Sequence, residues 1–164
     1  MWLEKDGEPV SFWHDIPLYA DESKKNIISF YVEIPRWTDA KIETKRDEPL
    51  STLRSLYPTA IPNQLLTFAD PIFHDTKKKE PRFVESVWPH KTYPILYGSV
   101  PQTWEDPSFD HEFTGYPGDN DPVDLFDVSG IEEGYVGQVK QVKILGALAM
   151  IDVSSRDMDI ILCG

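Results

Sequence analysis

The stretch NIISFYVEI, Asn26 to Ile34, reads as a β-strand that Pro35 closes. Ala40 to Thr44 (AKIET) reads as a second strand, with Ala40, Ile42 and Thr44 on one face and Lys41 and Glu43 on the other. Arg82-Phe83-Val84 is a third, and Ile95 to Val100 (ILYGSV) a fourth that Pro101 stops. Tyr135 to Leu145 and Ala147 to Val153 flank Gly146 and read as a tight antiparallel pair. Fourteen prolines punctuate the chain, and long stripes of 3.6-residue period are absent. Five or six short strands with long loops fit a small barrel better than a parallel sheet.

A length of 164 residues suits one domain with a real core. Twenty-eight acids against 16 bases leave a formal charge of −12, which argues against nucleic acid and anionic membranes as partners. Such a balance fits a protein that collects cations and equally any soluble acidic protein. With one cysteine, Cys163, no disulfide framework or thiolate metal site can form within the chain. His14, His74, His90 and His111 show no metal-ligand spacing. The N-terminal residues lack an apolar run, and no stretch approaches a membrane span, so a cytoplasmic protein is the expectation, with a mitochondrial form left open.

Two segments stand apart. Ser51 to Ala69 holds a single charge, Arg54, in a chain that is 27% charged, and reads as an inserted loop. Asp159 to Gly164 is an apolar run that reads as a strand broken off.

The chemistry concentrates in Asp119-Asn120-Asp121-Pro122-Val123-Asp124, three carboxylates within six residues and no Lys or Arg between them. Two carboxylates about 4 Å apart repel by roughly 1 kcal/mol in water and about 4 kcal/mol near a protein surface. A fold that gathers them needs a cation, and hard oxygen ligands favour Mg²⁺, Mn²⁺ or Ca²⁺ over Zn²⁺. An EF-hand loop is disfavoured, because its sixth position would be Asp124 rather than Gly and its twelfth Gly130 rather than Glu. An aspartyl nucleophile of the D-x-D-x-[TV] type would follow a buried apolar strand, whereas the preceding residues are Phe113-Thr114-Gly115-Tyr116-Pro117-Gly118 and no βαβ pattern surrounds the motif. A multi-metal phosphoryl-transfer site, with Pro122 stiffening the turn, and a plain acidic surface turn both remain open on these letters alone.

The surrounding blocks carry a resemblance. They are His14-Asp15-Ile16-Pro17-Leu18-Tyr19, Glu33-Ile34-Pro35-Arg36-Trp37-Thr38 and Ala40-Lys41-Ile42-Glu43, then Asp75-Thr76-Lys77-Lys78 with Arg82-Phe83-Val84. Tyr97-Gly98, Pro101 to Pro107 (PQTWEDP), the Asp119 to Asp124 cluster and Gly137 to Gly146 (GQVKQVKILG) follow in order. In these blocks the sequence resembles the soluble family I inorganic pyrophosphatases of eukaryotic type, over nearly the whole chain. The resemblance implies a mainly β fold, an OB-like five-stranded β-barrel, and Mg²⁺-dependent hydrolysis of pyrophosphate, with several ions bound and Mn²⁺ as a substitute.

Carried over by position, Asp119, Asp124 and Asp157 resemble the ligands of one activating Mg²⁺. Asp121, Asp124 and Glu43 would serve a neighbouring ion, and Asp152 an ion that arrives with the substrate. Asp121 is placed like the carboxylate that accepts the proton of the attacking water. Lys41, Arg82 and Tyr97 resemble contacts to phosphate oxygens, and Glu33 a partner behind the metal waters. A homodimer is the assembly that the family implies.

The chain departs from the family pattern at three places. Ser51 to Ala69 stands where the family has a short connection. The family pattern D-W-K is here Asp157-Met158-Asp159, which puts an acid in place of a phosphate-binding Lys. A following segment with a Tyr-Lys pair and a long helix is missing, so residues 1–164 are expected to form an incomplete domain with an exposed apolar face. Together these departures point to an incomplete or mis-assembled version of such an enzyme. A catalytically dead relative that binds metal or pyrophosphate is the alternative, and an acidic calcium-binding module a third reading.

Overall fold

The computed structural model describes residues 1–45, 70–83, 93–130, 133–152 and 157–164. The loop expected at residues 51–69 lies outside them. Every regular element among the described residues is a strand. They are β1 (Leu3–Lys5), β2 (Glu8–Val10), β3 (Ile27–Ile34), β4 (Ile42–Thr44), β5 (Ile72–His74), β6 (Thr76–Lys77), β7 (Glu80–Pro81), β8 (Leu96–Ser99), β9 (Asp124–Asp127), β10 (Val139–Lys143), β11 (Gly146–Asp152) and β12 (Asp157–Cys163).

Six of these form one curled sheet in the order β10-β3-β8-β9-β12-β11. β3 is its spine, and both of its faces are covered: the apolar one and the mixed one that carries Ser29, Tyr31 and Glu33. Ile28, Phe30 and Val32 alternate into a core with Leu96, Val100, Leu125 and Val142. On the opposite face Tyr31 packs with Phe12, Ile16 and Ile72. β3 and β8 approach so closely that a Cβ added at Gly98 would lie 2.0 Å from the Tyr31 carbonyl oxygen. Glycine is therefore required there, opposite Val32.

The expected pairing around Gly146 is overturned. β10 pairs antiparallel with β3, Val139 opposite Tyr31, while β11 pairs with β12, Gly146 opposite Cys163. Gly146 lacks the positive φ of a two-residue hairpin turn. Instead the chain turns a corner: the Ile144 N–H donates to Asn26 O at 3.3 Å and the Leu145 N–H to Cys163 O at 2.7 Å. Tight two-residue turns lie elsewhere, at Asp6-Gly7 between β1 and β2, with φ of 56° and 83°, and at Lys78-Lys79 between β6 and β7, with φ of 57° and 69°.

Residues 82–84 do not make the expected third strand as such. The ladder there is β6–β7, with Phe83 making a single bridge to Ala40 and Val84 outside the described residues. The C-terminal run is no loose strand. β12 lies between β9, to which it is parallel, and β11, and it buries Met158 and Ile161. It raises the main sheet to six strands within the mainly β, barrel-like architecture. β11 is an edge strand exposed along its length, with Leu148, Met150 and Ile151 facing solvent.

Candidate active site

The site grows from a defect in the spine. The β3–β8 register shifts between Val32 and Ile34, so Glu33 sits in a bulge. The residue is 2% exposed. The Thr44 backbone N–H donates to Glu33 Oε1 at 2.6 Å, and the Thr44 hydroxyl bonds the same oxygen. Burial pushes the Glu33 pKa up to about 7, against the opposing pull of Thr44, Lys41 and Ser99.

β4 brings Lys41 and Glu43 to the same cavity, as their shared face requires. Lys41 Nζ stands 3.0 Å from Glu43 Oε2 and 5.4 Å from the centre of the Tyr97 ring. Burial opposes charge on Lys41, but Glu43, Glu33 and Asp124 outweigh it and hold its pKa above the ordinary value. From β8, the Tyr97 hydroxyl donates to Asp124 Oδ2 at 2.6 Å, at the start of β9. Burial and the Asp124 charge push the Tyr97 phenol well above its usual range, so it stays a donor.

The rim is laced by backbone. The Lys41 N–H donates to Arg82 O, the Asp75 N–H to Lys41 O and the Arg82 N–H to Asp75 O, at 2.9, 2.8 and 2.8 Å. Arg82 also donates from its guanidinium to Asp75 Oδ2 at 2.9 Å. Asp75 is driven up by partial burial but down more strongly by Arg82 and the Thr76 N–H, for a net lowering.

The acidic loop closes the site. The Asp121 N–H donates to Asp119 Oδ1 at 2.9 Å, and Asn120 between them has φ of 76°. The Asn120 N–H donates to Glu105 O, and the Glu105 N–H donates to Asp121 O. A Cβ at Gly118 would come within 2.4 Å of the Glu105 carbonyl carbon, so this loop and residues 104–106 are in direct contact.

Glu33, Lys41, Glu43, Arg82, Tyr97, Asp119, Asp121 and Asp124 all line one cavity of about 570 Å³. Asp75, Thr44, His74 and Lys45 join them without having been singled out by the sequence. Asp75 had a signal, its place in the Asp75-Thr76-Lys77-Lys78 block. Asp152 is exposed at the end of β11 and is not among the lining residues. Its register partner is Asp157. The next residue, Met158, donates its N–H to Pro117 O at 3.0 Å, which sets this hairpin end just ahead of Asp119.

The donor set fits hard divalent cations. Six carboxylates (Glu33, Glu43, Asp75, Asp119, Asp121, Asp124) face Lys41, Lys45 and Arg82 in the cavity. A phosphate entering such a space is repelled unless cations come with it. No three described His, Cys, Asp or Glu side chains already converge on one ion-sized point. The carboxylates are spread around the space instead.

A family model described as inorganic pyrophosphatase matches residues 30–163, the span that holds every residue of this cavity. This chain belongs to the inorganic pyrophosphatase family. Over 161 residues it is 45% identical to the inorganic pyrophosphatase of Kluyveromyces lactis and 47% identical to that of Zygosaccharomyces bailii. Each match covers 98% of this chain and 49% of the relative, so the chain spans about half the length of the curated pyrophosphatases it matches. The solved inorganic pyrophosphatase of Schistosoma japonicum superposes with a TM-score of 0.82 at 39% identity, covering 99% of this chain and 49% of that one. A vacuolar soluble pyrophosphatase of Trypanosoma cruzi, solved in complex with PPi, superposes at 0.71 and 37% identity, covering 94% of this chain and 52% of that one. Among the described residues no helix is long and apolar enough to cross a membrane.

Proposed function

We propose that this chain carries the metal-binding and part of the phosphate-binding machinery of an enzyme that hydrolyses inorganic pyrophosphate to two phosphates. The observation that carries the proposal is the joint placement of Asp119, Asp121, Asp124, Glu43, Lys41, Arg82 and Tyr97 around one acidic cavity. Asp119, Asp121, Asp124 and Glu43 would hold Mg²⁺, or Mn²⁺ in its place, with Asp152 and Asp157 drawing on the β11–β12 end. When bound, these ions acidify water and offset phosphate charge.

The chain's own groups divide the remaining work. Asp121 is exposed at the loop and serves as base for the proton of the attacking water. Arg82 offers its fork of N–H donors to phosphate oxygens, held in place by Asp75. Lys41 adds a point charge that Glu43 and Tyr97 orient. Tyr97 keeps its proton and presents a hydroxyl where negative charge gathers. Glu33, titrating near neutrality beneath Thr44, tunes the charge of the cavity floor.

Colorimetric phosphate release by the purified chain, with Mg²⁺ and with or without pyrophosphate, tests this reading. Turnover is expected, and Asp121→Asn should lower it by about 100-fold or more, the usual weight of a positioned base. Turnover no greater than that of an Asp119→Ala control would defeat the proposal.

A further inference from the structure

We infer that Trp104 is a positioning residue for the acidic loop, acting through the side chain of Asn120. The inference rests on the metal reading above. The Trp104 indole N–H donates to Asn120 Oδ1 at 2.9 Å. Asn120 stands between Asp119 and Asp121 in the left-handed backbone region, with φ of 76°. Asn tolerates that region but does not need it, so something must select it. The conformation of this one residue sets the relative direction of the two flanking carboxylates.

Burial does not explain the indole's place. Trp104 is 53% exposed and belongs to neither core cluster. It caps a ladder of contacts instead: the Asn120 N–H to Glu105 O at 2.9 Å, the Glu105 N–H to Asp121 O at 2.9 Å and the Gly118 N–H to Asp106 O at 3.1 Å. The segment that carries it is tied to the interior. The buried Trp13 donates its indole N–H to Thr103 O at 2.6 Å. The Thr103 hydroxyl donates to Val100 O at 2.7 Å and accepts from the Val123 N–H at 3.0 Å. Hydrogen bonds therefore tie the segment 103–105 to the core at one end and to the residue between the two aspartates at the other.

Mn²⁺ binding by the purified chain, measured by titration calorimetry alongside thermal unfolding, tests this. Trp104→Phe keeps the ring and removes the donor. Asn120→Gly keeps the backbone conformation accessible and removes the acceptor. Loss of one ordinary hydrogen bond corresponds to roughly a three- to tenfold change in affinity. Each variant should weaken Mn²⁺ binding by that factor, the double variant should be no weaker than either single one, and the unfolding midpoint should not move. Unchanged affinities, additive losses, or losses that track a falling midpoint would overturn the inference while leaving the metal reading intact. An unsubstituted chain that binds no Mn²⁺ overturns the metal reading and this inference with it.

Discussion

Glu33 is the residue whose ionisation the fold resists most visibly. Its pKa is about 7 in the folded chain against an ordinary 4.5. Between those values the folded state holds more protons than the unfolded one, so stability falls as pH rises through the window. Glu33→Gln cannot ionise and keeps an acceptor for the Thr44 N–H. In the metal-free chain the variant should gain on the parent by on the order of 3 kcal/mol between pH 4.5 and pH 8. Urea unfolding at the two pH values checks this, and a pH-independent difference between parent and variant would refute it. Tyr97 makes a second prediction at this scale. Tyr97→Phe keeps the ring beside Lys41 and Phe126 but deletes the hydrogen bond to Asp124. It should lower kcat for pyrophosphate by about tenfold or more with little change in unfolding midpoint, checked by steady-state kinetics beside thermal melts.

At the scale of elements, β9 shows how the strands lock together. Asp127 is 1% exposed. It accepts from Lys140 Nζ on β10 at 2.7 Å and from the Ser129 N–H at 2.9 Å. β9 and β10 are not neighbours in the sheet, so this ion pair bridges strands that share no backbone ladder. Burial alone would raise the Asp127 pKa, but Lys140 and Ser129 prevail and hold it below the usual carboxylate value. The pair therefore stabilises the fold above that range and loses its effect as pH falls through it. Asp127→Asn removes the carboxylate from beside a mostly buried ammonium and should cost about 3 kcal/mol at pH 7. Chemical denaturation at pH 7 checks the figure, and a loss within experimental error of zero would refute it. β9 was also the element hardest to read. Asp124-Leu125-Phe126-Asp127 begins and ends with acids, and its ladders to β8 and β12 make a strand of it. β3 was legible because it is a run of aliphatic and aromatic residues closed by a proline, with an unbroken apolar face at Ile28, Phe30, Val32 and Ile34. The turn at Gly146 was misread because glycine marks a bend and says nothing about which strand the chain meets afterwards. Eight of the residues to which the resemblance assigned roles line one cavity, while Asp152 does not. Asp75 was not singled out, since its place beside Arg82 depends on a β6–β7 hairpin of two residues per strand.

For the molecule as a whole, the exposed edge is the feature with consequences. β11 carries Leu148 at 57%, Met150 at 50% and Ile151 at 45% exposure, on a strand whose outer backbone has no neighbour in the sheet among the described residues. Unguarded apolar edges invite pairing. The purified chain should self-associate as its concentration rises, and Leu148→Lys with Met150→Lys should shift it towards monomer. Sedimentation velocity reads this directly, and identical profiles for the two proteins would refute it. The strand order has a further consequence, in time rather than space. Val139 must find Tyr31 across roughly 100 residues of intervening chain, and β9 must wait for Ile161 to Cys163 before its second edge is filled. During synthesis the spine emerges early and its partners late. The nascent chain therefore carries Phe30 and Val32 uncovered until β8, β9 and β10 have been made. Its folding should be slow for its size and should draw on the cell's holding machinery, because the core joins residues as far apart as Ile28 and Val142.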